Sequence, residues 1–130
     1  MNEMQVRYFL FAQFVVLIVT AFLHLLGFWL YLYWVFWWYD VVLHALGGAW
    51  VALAALWFFT YIGKSQPSAV TLACVIVVGV LWEIFEVLIG IPRESNYVLD
   101  TSLDLLMDIV GALLTLFFLR RKVSPADAEA

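Results

Sequence analysis

Four long apolar runs separated by short polar breaks leave this chain few ways to fold. They cover about residues 8–33, 41–62, 69–89 and 101–119. Each is close to or above the roughly 20 residues that carry a helix across about 30 Å of hydrocarbon. Lipid offers the backbone no hydrogen bonds, so runs of this kind must be helical. Composition agrees, with 67% of the 130 residues hydrophobic and 12% charged, against about half and about a quarter in soluble domains. The expected fold is all-α: an integral membrane four-helix bundle forming one domain over residues 1–122. The tail, residues 123–130, is small and polar and is expected to be disordered.

The breaks are chemically consistent. Gly63-Lys64-Ser65-Gln66-Pro67 is a turn cluster, and Gly90-Ile91-Pro92 ends the third run before a polar loop. The first run exceeds a signal-peptide core and lacks a small-residue cleavage site, so it reads as a retained helix. Cys74 is the single cysteine, which excludes a disulfide framework. The net charge of -4 argues against nucleic acid as a partner. No internal repeat stands out along the chain.

Arg7, Lys64, Arg120, Arg121 and Lys122 fall on one face of a four-span topology, and the other face has only Arg93, beside Glu94. The positive-inside rule then puts both termini in the cytoplasm. Trp29, Tyr31, Tyr33, Trp34, Trp37, Trp38 and Tyr39 crowd the outer end of the first run as an interfacial belt.

Against this background, ionisable residues inside the runs mark a functional site. They occur as Asp40-x-x-x-His44, Glu83-x-x-Glu86 and Asp100-x-x-x-Asp104-x-x-x-Asp108. At about 1.5 Å per residue, all fall in the outer half of the bilayer, within about 10 Å of the boundary. His44 shares a helical stripe with Gly47 and Gly48, Asp108 with Gly111 and Ala112, and Glu83 with Gly79. Small residues mark the faces along which membrane helices approach, so the acids are expected to point inward. The inner halves of the helices read as lacking polar groups to continue a path.

Several positions carry two readings. Asp40 either caps the second helix or orients His44 from behind. Asp100, Thr101 and Asp104 read as a helix start, with Thr101-x-x-Asp104 resembling a capping box, or as part of the site. His24, on a face with Thr20 and Gly27, is either a structural imidazole or the floor of the cavity. Arg93 is either a loop cation or the neutraliser of a site acid. Carboxylates gathered at low dielectric must be protonated, hydrogen-bonded or compensated by a cation. Imidazole among carboxylates suits Mn, Fe or Zn. The expected metal ligands are His44, Glu83, Glu86, Asp104 and Asp108, with Asp104 or Glu86 as general base and Asp40, His24, Arg93 and Asp100 in support.

The Tyr39-Asp40-x-x-x-His44-x-x-Gly47-Gly48, Trp82-Glu83-x-x-Glu86 and Asp100-Thr101-x-x-Asp104-x-x-x-Asp108-x-x-Gly111-Ala112 motifs resemble those of the YjdF-like and VanZ-like small membrane proteins. The resemblance covers about residues 38–119 and implies a small multi-span protein of a bacterial or archaeal cell membrane, linked among VanZ-like members to the cell envelope. Glu86 and Asp108 stand where VanZ-like chains usually have Gln and Asn, so the YjdF-like pattern fits better.

Three functions are compatible with this pattern. The first is a metal-dependent membrane hydrolase or transferase acting on a lipid, a lipid-linked envelope precursor or a similar amphiphile. The second is a proton- or cation-coupled transporter or channel subunit, for which a homo-oligomer is a natural form. The third is a b-type haem protein with His24 and His44 as axial ligands.

Overall fold

The computed structural model describes residues 3–64, 68–90 and 96–122, with side chains as far as residue 119. Arg93 and the tail lie outside the described residues. The described chain is helical: α1 (Glu3–Trp29), a single turn α2 (Leu32–Val35), α3 (Trp38–Tyr61), α4 (Ser68–Ile89) and α5 (Tyr97–Lys122). Four of these are long and apolar enough to cross a membrane. As the all-α four-helix reading requires, their lipid-facing flanks are apolar and exposed, including Phe11, Ile18, Phe22 and Leu25 of α1.

Two boundaries differ from expectation. The first run is not one helix: α1 stops at Trp29, and Tyr31 adopts a left-handed conformation (φ 58°) before α2 begins. For a non-glycine residue this costs on the order of 1 kcal/mol. The reversal brings Tyr33 back against α1. The last helix starts at Tyr97 rather than near Thr101. Asn96 caps it, its Oδ1 accepting the Leu99 N–H at 3.3 Å, which replaces the expected Thr101–Asp104 capping box. Gly63 and Gly90, both at positive φ, end α3 and α4.

α3 is the hub. It packs on α1, α4 and α5, whereas α1 touches only α2 and α3 among the described residues. The closest approach is between α3 and α5. A Cβ on Gly48 would run into the backbone of Asp108, and one on Gly111 into the backbone of Ala45. Glycine at both positions lets the two backbones touch, which maximises dispersion contact where no hydrophobic effect drives association. Beyond this crossing, Ala52, Val75 and Ala112 form a fully packed apolar centre with Val51 and Leu72.

Candidate metal centre

The i, i+4 spacing puts Asp40 above His44 on α3 and Asp104 above Asp108 on α5, and the crossing turns both pairs toward each other. α4 adds Glu83 from its last two turns. The result is one cluster at the end of the bundle where α3 and α5 begin and α4 ends. His44, Glu83, Asp104 and Asp108 are all buried there.

The imidazole of His44 organises the cluster. Its Nε2 lies 3.8 Å from Asp104 Oδ2, 4.0 Å from Asp40 Oδ1 and 4.0 Å from Glu83 Oε1. Its Nδ1 faces the other way, 3.3 Å from Asp108 Oδ1. A neutral imidazole that donates from Nδ1 to Asp108 keeps its lone pair on Nε2. Ligand atoms of Asp40, His44 and Asp104 all lie within 4.8 Å of one another. Two ligand atoms on one ion bound at about 2.1 Å can stand roughly 3.0–4.2 Å apart, so the Nε2 distances fit a shared cation. Glu83 faces Nε2 from α4 without belonging to that three-residue group. Asp104 is 2% exposed, yet its buried Oδ1 accepts no hydrogen bond. A buried carboxylate oxygen in that state costs about 1–3 kcal/mol or more unless something else satisfies it.

Residues around the cluster hold it in place. Thr101 Oγ1 donates to Glu83 Oε2 at 2.8 Å, locking α4 to α5. The sequence pattern leaves Thr101 as a helix-start residue or part of the site, and only the crossing of α4 and α5 shows its partner. Gly79 leaves room for Asp108, whose Oδ2 would lie 2.5 Å from a Cβ there. Tyr33, delivered by the left-handed turn, is hydrogen-bonded to His24 Nδ1 at 2.6 Å. Burial, and after it the nearby Asp40 carboxylate, push the Tyr33 phenol well above its usual range, so it stays protonated. Tyr39 donates from its hydroxyl to Leu23 O at 2.6 Å, tying α3 to α1.

The remaining expected site residues are placed differently. Glu86 is half-buried and accepts from Trp82 Nε1 at 2.8 Å, on the lipid side of α4. His24 is held with Tyr33 and Phe28 rather than with the acids. Asp100 lies in the first turn of α5, one turn before Asp104. Asp40 does not cap α3, which starts two residues earlier at Trp38. Its side chain is 37% exposed against 7% for His44 and 3% for Asp104, so the cluster opens on the Asp40 side. The far half of the bundle is not without polar groups: Gln13 and Thr71 are buried there, and neither Thr71 Oγ1 nor Trp57 Nε1 has a hydrogen-bond partner.

No curated protein and no solved structure matches the chain significantly. A family model does, over residues 5–124, which takes in all four long helices and every residue of the cluster. The chain belongs to the family described as Predicted membrane protein (DUF2238).

Proposed function

We propose that this protein binds a divalent transition-metal ion through His44 Nε2, Asp40 and Asp104, with Glu83 as a fourth group facing the ion. The observation that carries the reading is the surround of Nε2. Carboxylates from three helices converge on His44 Nε2, and one buried oxygen among them, Asp104 Oδ1, has no hydrogen-bond partner. Imidazole with carboxylates favours Mn, Fe or Zn over Mg or Ca. The roles expected from sequence are exchanged in this reading. Asp40 joins the ligands, and Asp108 becomes the acceptor that orients the imidazole. Glu86 leaves the ligand set.

Three protein ligands on one side, with the open side at Asp40, is the pattern of a catalytic rather than a closed structural site. Such an ion acts as a Lewis acid on a phosphoryl or carbonyl oxygen or acidifies bound water. With the cluster close to one end of lipid-exposed helices, the matching substrate is an amphiphile whose polar head reaches the bilayer boundary. We therefore favour a membrane hydrolase or transferase in a bacterial or archaeal cell membrane, with both termini cytoplasmic and one four-span domain over residues 1–122. The YjdF-like resemblance belongs with this reading.

Elemental analysis of detergent-purified protein beside Asp40→Asn, His44→Gln and Asp104→Asn variants tests it. Stoichiometric metal in the wild type that is lost in all three is expected. Metal-free wild type whose melting temperature ignores added Mn, Fe and Zn would sink the proposal.

A second reading, proton or cation transfer, gains from the buried Thr71 hydroxyl and Trp57 indole N–H on the far side of the bundle. A liposome flux assay that detects no pH- or cation-driven transport removes it. No observation favours haem. His24 is held with Tyr33 and Phe28, apart from the carboxylates that surround His44.

A further inference from the structure

The end of the bundle that holds the cluster is acidic, and the described cations are all elsewhere. Asp40, Glu83, Glu86, Asp100, Asp104 and Asp108 stand near the starts of α3 and α5 and the end of α4. Among the described residues every Arg and Lys is at the opposite end: Arg7 in α1, Lys64 after α3, and Arg120, Arg121 and Lys122 closing α5. Glu86 is the acid this arrangement leaves most exposed to cost. It is half-buried on the lipid side of α4, and its Oε1 accepts from Trp82 Nε1 at 2.8 Å. Its Oε2 accepts no hydrogen bond among the described residues. An ionised carboxylate at a lipid-facing flank is costly until a cation pairs with it. A second copy of this chain brings no described cation to that level.

Glu86 also borders an opening. α1 and α4 both pack on α3 but not on each other among the described residues, which leaves a gap between them floored by α3. Tyr33 reaches α1 through its hydrogen bond to His24. After burial, the charges that raise the Tyr33 phenol are those of Asp40, Tyr39 and Glu86. Asp40 and Glu86 therefore stand around the same mouth, from α3 and from α4. Deeper in, Asp104 is 2% exposed and its Oδ1 accepts no hydrogen bond, while its ligand atom lies within 4.8 Å of those of Asp40 and His44. The helices flanking the gap are apolar and exposed, with Phe22 and Leu25 on α1 and Leu81 and Phe85 on α4.

We propose that the gap between α1 and α4 takes a phospholipid whose headgroup carries a primary ammonium, held by Glu86 and Trp82 while its phosphate faces the Asp40–His44–Asp104 group. In a bilayer the ammonium of a zwitterionic headgroup is the cation at hand. Glu86 lies about 5 Å inside the end of α4, a depth such a headgroup reaches. Its Oε2 offers a charge-assisted hydrogen bond, which a quaternary ammonium, having no N–H, does not make. The Trp82 indole, fixed by its bond to Oε1, adds an aromatic face that attracts a cation. The phosphate half of the proposal rests on the metal reading; the ammonium half does not.

The test is binding of phosphatidylethanolamine and phosphatidylglycerol to the detergent-purified full chain, read by native mass spectrometry with and without zinc. Both lipids carry a phosphodiester, and they differ in the ammonium. Wild type should prefer phosphatidylethanolamine about tenfold, the worth of one charge-assisted hydrogen bond. Glu86→Gln, which keeps the acceptor for Trp82, should bind the two lipids about equally. Asp100→Asn removes a charge at the same end and should keep the preference. Wild type without a preference, or Glu86→Gln that retains it, overturns the proposal. Equal loss in Asp100→Asn would make the preference one of general acidity and overturns it too. Soluble phosphoethanolamine that binds as tightly as the lipid overturns the lipid as occupant. Zinc should tighten both lipids without changing their ratio. Zinc that binds and tightens neither overturns the phosphate half alone. Wild type that binds no zinc removes that half, and leaves the ammonium half to the comparison of the two lipids.

Discussion

Asp108 Oδ1 sits 3.3 Å from His44 Nδ1, on the opposite edge of the ring from Asp40, Asp104 and Glu83. That single contact, when Nδ1 donates along it from a neutral ring, leaves the lone pair on Nε2. It also separates two roles that residue type alone leaves merged, since both Asp104 and Asp108 are buried acids one turn apart on α5.

If Asp108 orients the imidazole, its loss should weaken metal binding without abolishing it. Asp108→Asn keeps an acceptor oxygen but removes the charge, and an affinity about 10–100-fold lower is expected. His44→Gln, in contrast, should leave no measurable stoichiometric metal. Competition titration against a chromophoric chelator reads both. Equal, complete loss in the two variants would make Asp108 a ligand.

Asp40 and Glu86 provide the opposite pairing. Asp40 lies in the three-residue group around Nε2, whereas Glu86 takes its hydrogen bond from Trp82. Glu86→Gln retains an acceptor for that indole, so bound metal and melting temperature should stay at wild-type values. Asp40→Asn should lose the metal. Elemental analysis showing metal retained in Asp40→Asn and lost in Glu86→Gln would restore the assignment that sequence spacing suggested.

The four helices were readable because lipid imposes length and apolarity on each span separately. Helical period and depth, both local properties, likewise gather His44, Glu83, Glu86, Asp104 and Asp108 in one layer, and Glu86 departs from it because its partner is Trp82. Everything that depended on a partner was harder. Whether Thr101 caps α5 or bonds Glu83 turns on where α5 begins, and a side chain of Asn96 settles that. Tyr33 looked like part of an interfacial belt because nothing in the sequence marks Tyr31 as left-handed.

Tyr33 should prove structural rather than ligating. Its hydroxyl meets His24 Nδ1 at 2.6 Å, and its ring packs edge-on against Tyr39. Tyr33→Phe keeps the ring and deletes the hydrogen bond, which costs about 1 kcal/mol. A melting temperature lower by a few degrees, with metal content unchanged, is the expected result. Metal loss in Tyr33→Phe would move the phenol into the site.

Gly47 and Gly48 are neighbours in sequence and opposites in consequence. A Cβ on Gly48 would enter the backbone of Asp108, and backbone cannot rotate aside as a side chain can. Gly48→Ala should therefore push α3 and α5 apart, destabilising the protein by about 1–3 kcal/mol. It should also loosen the His44–Asp108 contact and with it the metal affinity. A Cβ on Gly47 would meet only Asp108 Oδ1, at 3.8 Å, an ordinary van der Waals distance. There the gain of alanine over glycine in helix propensity, up to about 1 kcal/mol, faces little steric cost. Gly47→Ala should be neutral or slightly stabilising and should bind metal like wild type. Thermal melts of the two variants side by side separate backbone contact from composition, because each removes one glycine from the same helix. Equal destabilisation would mean that the α3–α5 crossing does not depend on the Gly48–Asp108 approach.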